Sequence, residues 1–104
     1  MIKPELFDTI ELLVNVPESQ QPVGTQGSIV ECHDCDNFEV EFTNKDGETT
    51  ALCVLSSHQF IVVWQATTKQ WLTTTDKISA IFNNLSETKR EEVLDFARFL
   101  YQKA

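Results

Sequence analysis

Cys32 and Cys35, in the run Cys32-His33-Asp34-Cys35, have the Cys-x-x-Cys spacing with which two thiolates of one loop bind a single zinc ion. Cys53 and His58 are the residues that would complete a tetrahedral site. A strong zinc signature carries a second pair at regular spacing, and the sequence has none, so the expectation is a polar turn with incidental cysteines and no bound metal. A redox role needs a lowered thiol pKa, usually at a helix N-terminus, whereas this motif falls between strands. Ser56-Ser57-His58 offers a hydroxyl and an imidazole, but adjacent turn residues do not by themselves converge with a carboxylate and an oxyanion site. Glu39 and Glu41 are two apart on a strand and share a face, as paired carboxylates must, yet on an alternating strand that face is the solvated one. Gly24-Thr25-Gln26-Gly27 lacks the Gly-Lys-Ser/Thr ending of a phosphate-binding loop, and Asp34 and Asp36 do not continue into a calcium loop. No catalytic residue, cofactor or metal is expected, and the chain reads as a non-enzyme.

What the sequence does have is charge. Eight basic and sixteen acidic residues in 104 give a net charge of -8. Met1 to Trp64 holds two basic and eleven acidic residues, a net -9, and Gln65 to Ala104 holds six basic and five acidic, a net +1. Such an acidic body repels phosphate backbones, which argues against direct nucleic-acid binding and for a basic protein partner. No apolar run approaches the roughly 18 residues of a spanning helix, so no membrane contact is expected. The opening Met1–Leu13 segment lacks the basic and longer apolar regions of a secretory signal, and the odd count of three cysteines does not suit a disulfide framework. A cytoplasmic setting follows.

The elements that must position these residues show two regimes of periodicity. Thr9 to Val14 reads as a strand with Ile10, Leu12 and Val14 on one face, and Asn15 to Pro22 as a loop. Ser28 to Cys32 is a second strand, entered through Gly24 and Gly27. Phe38, Val40 and Phe42 alternate with Glu39, Glu41 and Thr43 in the third, which turns at Asn44-Lys45-Asp46-Gly47 into a fourth from Glu48 to Leu55. Phe60 to Trp64 is a fifth, mostly buried strand. Five short strands with tight turns predict a small barrel that removes its edges by closing. Residues 1–64 then form the barrel domain, 65–75 a linker with Trp71-Leu72 docked, and 76–104 a helical hairpin, giving an α+β chain.

In that hairpin, Ile78, Ile81, Phe82 and Leu85 share one face of a short helix capped at Thr75 or Asp76. Ser86 caps a second helix from about Glu87 to Gln102, with Val93, Phe96, Ala97 and Leu100 as its stripe. Leu94, Phe99 and Tyr101 widen the apolar surface beyond half the circumference. Packing of the two helices on each other and on the barrel is the expectation; a second copy of the chain or a different protein are the other occupants open to that face.

The run Leu6-Phe7-Asp8-Thr9-Ile10, the proline-containing loop, Gly24-Thr25-Gln26-Gly27-Ser28-Ile29-Val30, Phe38-Glu39-Val40-Glu41-Phe42 and Asp46-Gly47-Glu48-Thr49-Thr50-Ala51-Leu52 resembles a family of small bacterial proteins, common in cyanobacteria and known only as a domain of unknown function. The resemblance spans roughly residues 6 to 64 and implies a Src-homology-3-like barrel. Lys77-Ile78 through Leu85-Ser86 and Val93 through Leu100 is similar to a second uncharacterised family of short helical segments found at the ends of antitoxin-like proteins. Neither resemblance implies a catalytic residue.

The function expected from these observations is protein binding, with the chain as the antitoxin-like neutralising partner of a basic toxin or nuclease. Glu39, Glu41, Asp46 and Glu48 would supply the acidic face, and Phe96, Phe99, Leu100 and Tyr101 a helical anchor that also offers a route to a homo-oligomer. The alternative is a nucleic-acid-associated or ribosome- and transcription-associated module of the same fold, whose basic resources are Lys69, Lys77, Lys89, Arg90, Arg98 and Lys103, interleaved with acids.

Overall fold

The computed structural model describes residues 2–103, so Met1 and Ala104, the outermost residues of the two expected domains, lie outside the described residues. Six strands, β1 (Thr9–Leu12), β2 (Gln26–Cys32), β3 (Asn37–Thr43), β4 (Thr49–Ser56), β5 (Phe60–Gln65) and β6 (Gln70–Trp71), precede two helices, α1 (Thr74–Asn83) and α2 (Glu87–Gln102). The strands form one antiparallel sheet in the order β4-β3-β2-β1-β5-β6. The fold is α+β, and the expected closed five-stranded barrel is corrected to an open six-stranded sheet whose outer strands are β4 and β6.

The core follows from the alternation that the sequence carries. Phe38, Val40 and Phe42 of β3 turn inward with Ile10, Leu12, Ile29, Leu55 and Phe60, and all are buried. Phe38 meets Phe60 edge to face, ring centroids 5.8 Å apart. Register shifts between Ile29 and Glu31, and between Thr9 and Ile10 against β5, put bulges into β2 and the β1–β5 ladder, which sharpens the twist of a short sheet. Gly27 sits at a close approach: a Cβ there would lie 2.8 Å from both Phe42 Cε1 and Val40 Cγ1, so β2 can lie over β3 only without a side chain at this point. At the β3–β4 turn Gly47 has φ of +82°, and its N–H donates to the Asn44 carbonyl.

Several element ends differ from expectation. Val14 lies beyond β1 and is half exposed, because the chain leaves the sheet after Leu12. Within residues 65–75, read from composition as a linker, Gln65 ends β5 and Gln70–Trp71 pair back onto Gln65–Trp64 as β6. Leu72 N–H then donates to Val63 O, and its side chain packs against the core. Thr73, rather than Thr75 or Asp76, caps α1: its hydroxyl accepts from Asp76 N–H while the Asp76 carboxylate accepts from Thr73 N–H.

Ser86 caps α2 as the sequence implies, its hydroxyl accepting from Lys89 N–H. The two helices meet at Arg90, whose guanidinium donates to the carbonyls of Phe82 and Asn83 at 3.0 Å and lies over the Phe82 ring. The expectation that both helices pack onto the sheet is corrected for α2: α1 lies against β5, whereas α2 has no comparable contact with a strand, and no residue of either helix is buried.

Candidate functional site

The clearest concentration of chemistry on the surface is the outer face of β2, β3 and β4. Side-chain alternation that buries Phe38, Val40 and Phe42 forces Glu39 and Glu41 outward. Cross-strand pairing sets Glu31 opposite Glu39, so two carboxylates meet on neighbouring strands. His33, just past the end of β2, brings Nε2 to 3.3 Å from Glu39 Oε1. Glu31, His33 and Glu39 each offer a ligand atom within 4.8 Å of the others. On the other side of β3, Val54 stands opposite Glu39 and Leu52 opposite Glu41. These two apolar side chains are 61% and 57% exposed respectively.

Leu52 and Val54 were not among the expected site residues. The signal was available: Leu52-Cys53-Val54-Leu55 is apolar at every position, and a strand with one inner face must expose half of such a run. The buried half is Cys53 and Leu55.

The other expected acidic residues lie on the same hairpin but at its tip. Asn44 Oδ1 accepts from the N–H groups of Asp46 and Glu48, and Asn44 Nδ2 donates to Glu48 Oε1 at 3.1 Å, which fixes the turn. Thr49 Oγ1 donates to Glu41 Oε2, linking the tip to the face. Glu39, Glu41, Asp46 and Glu48 are thus carried by one β3–β4 unit.

The helical residues divide. Phe96 and Phe99 stack with centroids 6.1 Å apart, and Leu100, four residues after Phe96, shares its side of the helix by spacing. Tyr101, 92% exposed, is two positions from Phe99 and so about 200° round the helix, on nearly the opposite side. Phe96, Phe99 and Leu100 are 62%, 58% and 50% exposed.

The sulfur atoms are separated. Cys53, within β4, is buried with Sγ 3.0 Å from Ser19 Oγ of the 3-10 turn Pro17–Ser19, whereas Cys32 ends β2 and Cys35 lies in the β2–β3 connection, both exposed. In the Ser56-Ser57-His58 turn the Ser56 hydroxyl accepts from His58 backbone N–H, a turn-forming contact. Asp34 Oδ1 accepts from the N–H groups of Asp36 and Asn37, closing the β2–β3 turn. These donors, the Asp36 N–H foremost, hold the Asp34 carboxyl below its ordinary value of 3.8. A cleft of about 360 Å³ runs between β5, α1 and the N-terminal segment, lined by Ile2, Phe60, Val62, Leu72 and Ala80 with Cys35 and Asp36 at its polar side.

Residues 6–62 match the family described as Domain of unknown function (DUF4926). The chain belongs to this family. The matched span runs from the segment before β1 into β5, so the DUF4926 region contains the whole acidic and apolar face and none of α1 or α2. No curated protein and no solved structure is significantly similar to the chain. Among the described residues, no helix is long and apolar enough to cross a membrane.

Proposed function

We propose that this DUF4926 protein is a non-enzymatic protein-binding module that receives a basic partner on the outer face of the β3–β4 hairpin. The observation that carries the reading is the pairing of exposed Val54 and Leu52 with Glu39 and Glu41 across the strands. Apolar side chains bordered by charge have the make-up of an interface centre and its rim. The carboxylates speed encounter with a basic surface, and the apolar pair holds it once docked. A toxin or nuclease with a phosphate-binding cleft is a partner of matching charge, and the antitoxin-like resemblance of the helical segment supports neutralisation as the outcome. The bulges that curl β2 and the β1–β5 ladder support a Src-homology-3-like reading of the sheet. Three unpaired cysteines suit a cytoplasmic setting.

The test is affinity capture from the native host, identification of the retained protein, and direct titration of that purified protein. A stoichiometric basic protein is expected, with binding weakened at least about tenfold in the Glu39→Lys/Glu41→Lys variant and steeply by salt. Recovery of nucleic acid as the bound species, or affinity unchanged by charge reversal, overturns the reading.

A further inference from the structure

We infer that the exposed face of α2 is a homodimer seam, occupied by the antiparallel α2 of a second copy of this chain. The inference deepens the protein-binding reading, because it assigns the helical surface to self-association and leaves the acidic sheet face for the basic partner.

At 100° per residue, Phe99, Glu92, Lys103 and Phe96 fall within about 60° of arc, with Leu100 beside them. The stacked phenyl rings of Phe96 and Phe99 therefore occupy the centre of a stripe with an acid near one end and a base at the other. A two-fold axis between Ala97 and Arg98 sets Phe96 against the second copy's Phe99, and Glu92 against the second copy's Lys103. Each of these contacts occurs twice, which is the self-complementarity that a two-fold interface requires.

Both candidate charges are available for the contact. Arg98 is already paired with Asp95 at 3.1 Å, and Arg90 is engaged with the end of α1. Glu92 and Lys103 form no ion pair among the described residues. Position 103 is also the C-cap, so its cation sits where the negative end of a helix dipole favours it.

Orientation is decided by charge on two scales. In a parallel pair Glu92 would meet Glu92 and Lys103 would meet Lys103, and flanking charges of this kind set helix direction. A parallel pair would also bring together the two sheet regions, each of which belongs to a segment with net charge -9. The antiparallel arrangement places them at opposite ends of a 16-residue helix, roughly 24 Å long.

Sedimentation equilibrium of the full chain, at concentrations up to about 100 µM and low salt, tests this directly. The expected mass is twice 11.9 kDa at the upper end. Glu92→Lys and Lys103→Glu should each weaken the dimer about tenfold or more, and the combined swap should recover affinity to within about threefold of the parent. Phe99→Asp should be monomeric, with circular dichroism confirming that every variant stays folded. A chain that is monomeric throughout, or a dimer whose combined swap does no better than the single ones, overturns the seam. Titration of the basic partner against the Glu39→Lys/Glu41→Lys variant reads the sheet face separately, so the dimer can fail while the binding reading stands, and the reverse.

Discussion

Asp8 Oδ1 accepts the backbone N–H of Ala66 at 2.9 Å, joining two points 58 residues apart in sequence. Asp8 is 1% exposed, and its second oxygen accepts the N–H of Glu5 at 2.9 Å. One buried carboxylate therefore ties the N-terminal segment to the β5–β6 turn. Hydrogen bonds to a charged group contribute more than neutral ones, and truncation leaves two backbone donors without their partner. Asp8→Ala should lower stability by about 3 kcal/mol in urea unfolding. Asp8→Asn should recover only part of this, since its NH2 group faces one of the two donors.

At Gly27 the limit is space. An added Cβ would also lie 2.9 Å from the Glu41 carbonyl, and backbone cannot swing aside as a side-chain end can. Gly27→Ala should cost about 2 kcal/mol, the scale of overpacking in a filled core. The midpoint of denaturant unfolding should fall while the m-value stays constant.

Arg90 should prove to be the joint between the helices. Its guanidinium reaches two terminal carbonyls of α1 and the Phe82 ring together, a planar geometry that an ammonium group does not reproduce. Arg90→Ala and Arg90→Lys should both raise amide exchange in the last turn of α1, and neither should alter protection in β1 to β5. Equal protection of α1 in the parent and in Arg90→Ala would refute this.

The β2–β3 turn should withstand acid until the pH falls below the ordinary carboxylate range. Asp34 has its pKa lowered chiefly by the Asp36 N–H and then by the Asn37 amide, so folding favours its charged form. The sign follows from linkage: the stabilisation is complete above the ordinary carboxylate value of 3.8 and is lost as pH falls through the lowered one. Carbon-detected titration should place Asp34 below 3.8, and Asn37→Ala should move it upward.

The pattern of burial was legible because alternation states which side of a strand faces inward. Phe38, Val40 and Phe42, the Asp46-Gly47 turn and the Ser86 cap all carry local signals, and each is where the sequence implies. Alternation does not state whether the first and last strands meet, so a closed barrel and an open sheet have the same signature. A two-residue strand such as β6 has no period to detect. For α2 the stripe marks the face that wants a partner without stating where that partner is. Glu39 and Glu41 were visible as outward carboxylates, but Leu52 and Val54 were hidden inside an unbroken apolar run. Asp8 was hidden too, because its value depends on a donor far along the chain.

The cross-strand contact of Trp64 with Trp71, ring centroids 6.5 Å apart, has a spectroscopic consequence. Both tryptophans of the chain sit on the β5–β6 hairpin, and its single tyrosine, Tyr101, sits on α2. Indole emission is therefore a local gauge of one sheet edge, while phenol emission belongs to the helix alone. Each half of the molecule carries its own intrinsic chromophore, so their melting can be followed separately in one unlabelled sample.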